Sequence, residues 1–279
     1  MRRRHFLAGI GAAILLGCAP TAAPAETPFE PTRFTVEVKG SGPDVILIPG
    51  LTAGPDVWAG TVTSVPGYRY HLVHIGGMAG APVGGNASGN VVAPVADELL
   101  RYIDTRNLRP SLIGHSMGGT LAMMVASRRP ELAAKVMVVD MFPQPAGLLG
   151  GDARQMSGLA DRLRDLTATP GGRRLFGDIV ASLGTNGSRG NSDPDVVARA
   201  MHELSGLDLA PQLQRIAAPL TVVYANADAA TRARADANYA RAYAGAKNPE
   251  LVRIDGSGHM IMYDQPRAFH GAVRTFLSR

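Results

Sequence analysis

From about residue 33 to the end, the chain alternates short apolar runs that stop at glycine, proline or a polar turn residue with longer stretches whose apolar residues recur at helical spacing. "RFTVEV" alternates polar and apolar residues as an edge strand does, and it opens the domain. "DVILIPG" and "YRYHLVHIGG" are nearly continuous apolar runs, the pattern of strands buried on both faces. "RPSLIGHS", "AKVMVVDMF", "PLTVVYANAD" and "PELVRIDGSGH" follow as further strands. Helical spacing appears at Val92, Val95, Leu99, Leu100 and Ile103, with Asn90 as the expected N-cap, and again over 117–129, 231–244 and 265–278. Strands separated by helices predict an α/β class, with a mostly parallel central sheet carrying helices on both faces. One stretch breaks the rhythm. Residues 143–211 show no strong strand but three amphipathic segments, near 156–166, 173–183 and 194–204, and are expected to form a helical lid inserted between two strands.

The first residues read as an address. Arg2, Arg3 and Arg4 precede an apolar segment from Phe6 to Leu16, too short to span a bilayer, which takes ~20 apolar residues. Small residues ending at Ala25 follow, so residues 1–25 are expected to be an export signal and 26–32 a linker to a single domain over 33–279. Arg3-Arg4-His5-Phe6-Leu7 resembles the twin-arginine export pattern, and Leu15-Leu16-Gly17-Cys18 resembles a bacterial lipoprotein cleavage box. Two outcomes stay open: acylation of Cys18 and a membrane tether, or release to the periplasm after cleavage at Ala25. Cys18 is the only cysteine, so no disulfide and no cysteine metal site can hold the domain together. The formal charge of +5 includes Arg2, Arg3 and Arg4, unaccompanied by any acid in that segment. The remaining basic residues form no stripe interleaved with aromatics, which argues against a nucleic-acid partner.

"LIGHSMGGT" places Ser116 among Gly114, Gly118 and Gly119 where a strand gives way to a helix. Gly114 to Gly118 fits G-x-S-x-G, a turn that lifts a serine hydroxyl clear of the sheet edge. The bland alternative is a helix N-cap. A serine hydroxyl is a weak nucleophile and needs an adjacent base, itself oriented by an acid. His259, in a glycine loop after the last strand, falls at the same carboxyl end of the sheet; the other histidines lie in the leader, within a strand, inside the turn, in the insertion or on the last helix. Two aspartates end strands at that rim: Asp228 in "VVYANAD" and Asp140 in "VMVVD". Both satisfy the order serine, acid, histidine, and neighbouring strands only ~4.8 Å apart let either reach the imidazole.

Together these segments resemble the α/β-hydrolase fold superfamily. "LIPGLTAG" is similar to its oxyanion loop, "GHSMGG" to its nucleophile elbow, "YANAD" to its acid turn and "GSGHMIMYDQP" to its histidine loop. The resemblance implies a serine hydrolase with Ser116 as nucleophile, His259 as base and Asp228, preferred over Asp140, as the orienting acid. It further implies an oxyanion hole from the N–H groups of Leu51 and Met117. Pro49-Gly50 departs from the His-Gly common in that family, and Ala225 from a frequent glycine. Serine at the elbow argues against the branches that use aspartate there, the haloalkane dehalogenases and epoxide hydrolases. The expected substrate is a small or medium carboxylic ester, with no metal or organic cofactor. Thioesterase, peptidase, C–C bond hydrolase and cofactor-free perhydrolase chemistry use the same triad, and the fold also supports non-catalytic ligand binding.

"GGMAGAPVGGNASGN", residues 76–90, lacks the Gly-Lys-Ser/Thr ending of a phosphate loop and is expected to be a mobile loop near the site. Met156, Met201, Met260 and Met262 are read as apolar packing or an acyl pocket. Arg154, Arg162, Arg164, Arg173 and Arg174 are read as a solvated helix face rather than an anion selector.

Overall fold

The computed structural model describes residues 29–146, 169 and 191–279. The expected export signal with Cys18, most of the helical insertion, Met156 and the five insertion arginines lie outside them. Among the described residues seven strands form one sheet: β1 (Phe34–Gly40), β2 (Asp44–Ile48), β3 (Arg69–Ile75), β4 (Ser111–His115), β5 (Lys135–Val139), β6 (Leu220–Asn226) and β7 (Glu250–Asp255). Their spatial order is β1-β3-β2-β4-β5-β6-β7. Only β1 runs antiparallel, pairing with β3; every other neighbour is parallel.

Alternation within the strands divides the core in two. Ile46, Ile48, Leu112, Val136, Val138 and Val222 point to one face, and Val45, Leu47, Ile113, Met137, Val139 and Val223 to the other. The first face is covered by α2 (Val92–Thr105), α3 (Met117–Arg128), α4 (Pro194–Ser205) and α5 (Arg232–Ala242). The second packs against α1 (Ala59–Ser64), α6 (Ile261–Asp264) and α7 (Pro266–Ser278), through Trp58, Phe269, Val273 and Phe276. Burial on both faces is why the central strands read as unbroken apolar runs: each such side chain contributes about 1.5–3 kcal/mol when fully covered.

The part of the insertion that is described, α4, is the third of the expected amphipathic segments. Its Glu203 does something its spacing did not suggest. The Glu203 carboxylate accepts from the N–H groups of Val91, Val92 and Ala93, at 2.9, 2.8 and 2.7 Å. Residue 94 is proline and has no N–H, so all the free donors of the first turn of α2 are met by one side chain from a distant helix. Asn90 therefore is not the N-cap; Val91 holds that position, with no side-chain cap of its own.

The loop over 76–90, expected to be mobile, is tied down. Buried Asn86 donates to the carbonyls of Arg33 (2.9 Å) and Gly76 (3.0 Å) and accepts from the Arg33 guanidinium (3.0 Å). The start of α4 rests on it: Asp193 N–H donates to Gly77 O at 2.7 Å, and Ala79 N–H to Ser192 Oγ at 2.9 Å.

Glu203→Ala is expected to lower unfolding stability by about 1–2 kcal/mol, while Asn90→Ala stays within about 0.5 kcal/mol; urea titration of both variants checks this.

Candidate active site

Ser116 follows β4 with φ 54° and ψ −123°, a conformation a residue with a side chain adopts only under constraint. The glycines around it supply the constraint. A Cβ on Gly114 would lie 2.0 Å from Gly118 O, and one on Gly118 would lie 2.1 Å from Ile48 O. One on Gly119 would come within 2.9 Å of Val138 Cγ1. Strand β4, helix α3 and the end of β2 thus cross at distances that exclude any side chain. Ser116 occupies the N-cap position of α3 but makes no side-chain cap, and its hydroxyl carries no hydrogen bond among the described residues. The bland reading of this serine as a cap does not hold.

Parallel register brings Asp140 to the same rim. His115 pairs with Val139, so Ser116 and Asp140 leave the ends of adjacent strands side by side. Ser116 N–H donates to Val139 O at 2.9 Å and Asp140 N–H to Val223 O at 2.7 Å. Asp140, like Ser116, has positive φ, 49°. Its carboxylate is buried and accepts three hydrogen bonds: from His259 Nδ1–H (2.8 Å), Ala225 N–H (2.9 Å) and the Tyr239 hydroxyl (2.9 Å). Burial by itself would raise the Asp140 pKa; the hydrogen bond and charge of His259, with the Ala225 N–H and Tyr239, outweigh it and hold the carboxyl below the ordinary aspartate value. Burial and the Asp140 charge push the Tyr239 phenol far up, so it remains a donor.

Asp228, the acid expected from the family pattern, is not the partner of His259. It is exposed, and its side chain accepts from Ala230 N–H at 2.9 Å, opening a short 3₁₀ turn over Ala229–Thr231. The physical reason lies in the turn: β6 runs on to Asn226, and the next residues are bent by Asn226 and Thr231, both of which donate to Asp228 O. A cleft of about 500 Å³ beside Asp140 is walled by Phe142, Ala225, Asn226, Ala227, Arg234 and Tyr239 among others, and Asp228 takes no part in it. The signal that favours Asp140 was present in "VMVVD": a carboxylate ending a fully buried run must find donors. Those donors, from β6 and α5, come from 85 and 99 residues away.

Of the expected oxyanion donors, Met117 adjoins Ser116 and Leu51 follows the Gly50 turn that packs against it. Met117 opens α3, where an N–H has no acceptor within the helix, and the N–H of Leu51 has no backbone acceptor among the described residues. The turn before Leu51 is pressed on the elbow: a Cβ on Gly50 would lie 3.1 Å from Ser116 Cβ. Met262 is buried and Met260 half-buried in the packing under α7, and Met201 packs from α4 against the other core face. Among the described residues no group of three or more His, Cys, Asp or Glu side chains is gathered to hold a metal ion.

The alpha/beta hydrolase family model matches residues 45–272, which span the elbow, Asp140 and the histidine loop. The chain belongs to the alpha/beta hydrolase family. Among its relatives, a Pseudomonas syringae protein named as a carbamate hydrolase, RutD, is 25% identical over 251 residues, covering 85% of this chain and 94% of the relative. A pimeloyl-[acyl-carrier protein] methyl ester esterase of Vibrio campbellii is 24% identical over 206 residues, covering 68% of this chain and 78% of that one. Of solved structures, a thermophilic esterase from Thermogutta terrifontis superposes with a TM-score of 0.71 at 20% identity, over 88% of this chain and 93% of its own. The protein is thus an esterase- or hydrolase-like alpha/beta hydrolase.

Two outcomes test the acid in this alpha/beta hydrolase. Asp140→Asn is expected to lower kcat by about 10³–10⁴-fold, and Asp228→Asn by less than about threefold, in steady-state ester assays. Because its folded pKa is depressed, Asp140 stabilises the fold above the unfolded aspartate pKa, about 3.9, and loses that contribution as pH falls through the lower folded value. Acid titration of unfolding in wild type and Asp140→Asn is expected to show the stability gap closing in that window.

Proposed function

We propose that this protein is a serine hydrolase that cleaves a small or medium carboxylic ester through an acyl-enzyme, with Ser116, His259 and Asp140 in the reacting roles. One observation carries the reading. The imidazole of His259 is held at Nδ1 by a buried, ionised carboxylate on the strand next to the one that presents an uncapped serine at a strained elbow.

Asp140 fixes the tautomer that leaves Nε2 of His259 as the base. Nε2 takes the proton of the Ser116 hydroxyl as Oγ attacks the ester carbonyl carbon, and the carbonyl oxygen becomes an oxyanion. The N–H groups of Leu51 and Met117 receive that charge; one such donor is worth about 2.7–4 kcal/mol in the transition state. Collapse expels the alkoxide, which takes the proton from the imidazolium and leaves as the alcohol. Water then attacks the acyl-enzyme with His259 again as base, releasing the acid and restoring Ser116. The imidazolium formed twice in each cycle is stabilised by the Asp140 carboxylate 2.8 Å away.

The names of the relatives, a carbamate hydrolase and a methyl ester esterase, support hydrolysis of a carboxylic ester or a related carbonyl compound. We place the enzyme outside the cytoplasm, on the arginine-led leader, with Cys18 as the site of a lipid anchor if the lipoprotein box is used. Mass spectrometry of the chain purified from its host distinguishes a diacylated Cys18 from a start at Glu26.

A fluorophosphonate probe is expected to label Ser116, and Ser116→Ala to abolish labelling and lower kcat on p-nitrophenyl esters by about 10⁶-fold. An esterase gives its highest kcat/KM on one chain length of a graded p-nitrophenyl acyl series, above the matched thioester and amide. A thioester optimum moves the assignment to thioesterase, and a fully active Ser116→Ala protein overturns the reading.

A further inference from the structure

We infer that His115, the residue between Gly114 and the nucleophile, is a positioning residue that fixes the backbone of the histidine loop to the elbow; this rests on the Ser116 and His259 roles proposed above. Its Nε2–H donates to the backbone carbonyl of His259 at 2.9 Å, across 144 residues of sequence. Its ring lies against the His259 ring, with centroids 4.6 Å apart and planes at 44°. The His115 side chain is buried, and it is backed by the turn at Gly50, where a Cβ would come within 3.0 Å of Nδ1. It has little room to move.

The histidine loop is tied at its start to β6, Gly256 N–H donating to Asn226 O at 2.8 Å, and beyond that closes on itself. Gly258 N–H donates to the Asp264 carboxylate at 2.8 Å, and the Gln265 amide to Gly256 O at 2.9 Å. Those bonds shape the loop without locating it relative to Ser116. Two bonds from the nucleophile's side of the sheet do locate it: Asp140 holds the His259 ring at Nδ1, and His115 holds the His259 main chain at its carbonyl. An imidazole held at one atom can swing about that bond, whereas one held at both ring and backbone keeps Nε2 at a set distance from the residue adjoining its second anchor. That residue is Ser116.

The chemistry favours a neutral imidazole for this task. His259 becomes cationic in every cycle, and a lysine or arginine donor this close would oppose that charge. The Nε2–H tautomer of histidine reaches the carbonyl and donates without adding one.

Nitrogen NMR of ¹⁵N-histidine-labelled wild-type protein at neutral pH is expected to show His115 as the Nε2–H tautomer with a slowly exchanging ring proton. The Nδ1–H tautomer overturns the inference whatever the enzyme's activity. With p-nitrophenyl butyrate, His115→Gln, whose amide reaches the Nε2 position, is expected to keep kcat within about threefold of wild type. His115→Asn, one methylene shorter, is expected to lose about 30–100-fold in kcat with KM within about twofold. Equal kcat in the two variants overturns the positioning role. If either variant fails to fold, the tautomer measurement decides. Failure of the underlying reading is seen separately, as retained activity in Ser116→Ala.

Discussion

The close crossing of three backbones at Gly114, Gly118 and Ile48 governs the rest of this structure. With 2.0–2.1 Å between a hypothetical Cβ and the opposing carbonyl oxygens, neither glycine can be replaced without moving β4, α3 or the end of β2. The crossing turns the chain from strand to helix within one residue and leaves that residue, Ser116, at φ 54°. Such a conformation costs about 1–3 kcal/mol and persists only where its surroundings over-determine it. The apolar packing of β2, β4 and β5 on both faces does so.

From that corner the parallel register does the remaining placement. Because His115 sits beside Val139, the residue after each strand meets its counterpart at the rim, and Asp140 comes to the flank of Ser116 without any long connection. The carboxylate is buried, so its charge is sustained by fixed donors rather than by water, from β6 through Ala225, from α5 through Tyr239 and from the histidine loop through His259. Three elements are thereby tied to one carboxylate, and α5 is joined through Tyr239 to the group that holds His259. The insertion is attached by similar means. One carboxylate, Glu203, answers the N–H groups that open α2, and the pinned loop at Asn86 receives the start of α4.

Much of this was legible in the residues. The strands and helices follow from apolar runs and helical spacing, and the elbow from glycines that no solvated loop would need. His259 was marked by its glycine loop after the last strand. Which aspartate meets His259 was not separable from sequence, since Asp140 and Asp228 both end strands at the rim. What divides them is the local turn: the Asp228 side chain caps the N–H of Ala230, two residues on, whereas Asp140 is buried under donors 85 and 99 residues distant. Family resemblance favoured Asp228 because it carries a position after a strand, not a direction of a side chain; the carboxylate that meets His259 Nδ1 is that of Asp140. Asn90 misled for the same reason, a good capping residue beside a helix whose donors a remote glutamate had already met. The glycines of residues 76–90 suggested mobility, and only the partners of Asn86, on the chain before β1 and at the end of β3, show why the loop is held.

The crystal structure of the protein inactivated by a fluorophosphonate tests the central claim most directly. The expected result is phosphorus bonded to Ser116 Oγ with loss of fluoride, its phosphoryl oxygen within hydrogen-bond distance of the Leu51 and Met117 N–H groups, and His259 Nε2 facing Ser116 Oγ with Nδ1 still on Asp140. Phosphorus on another residue, or a His259 ring turned away from Asp140 to pair with Asp228, would contradict it.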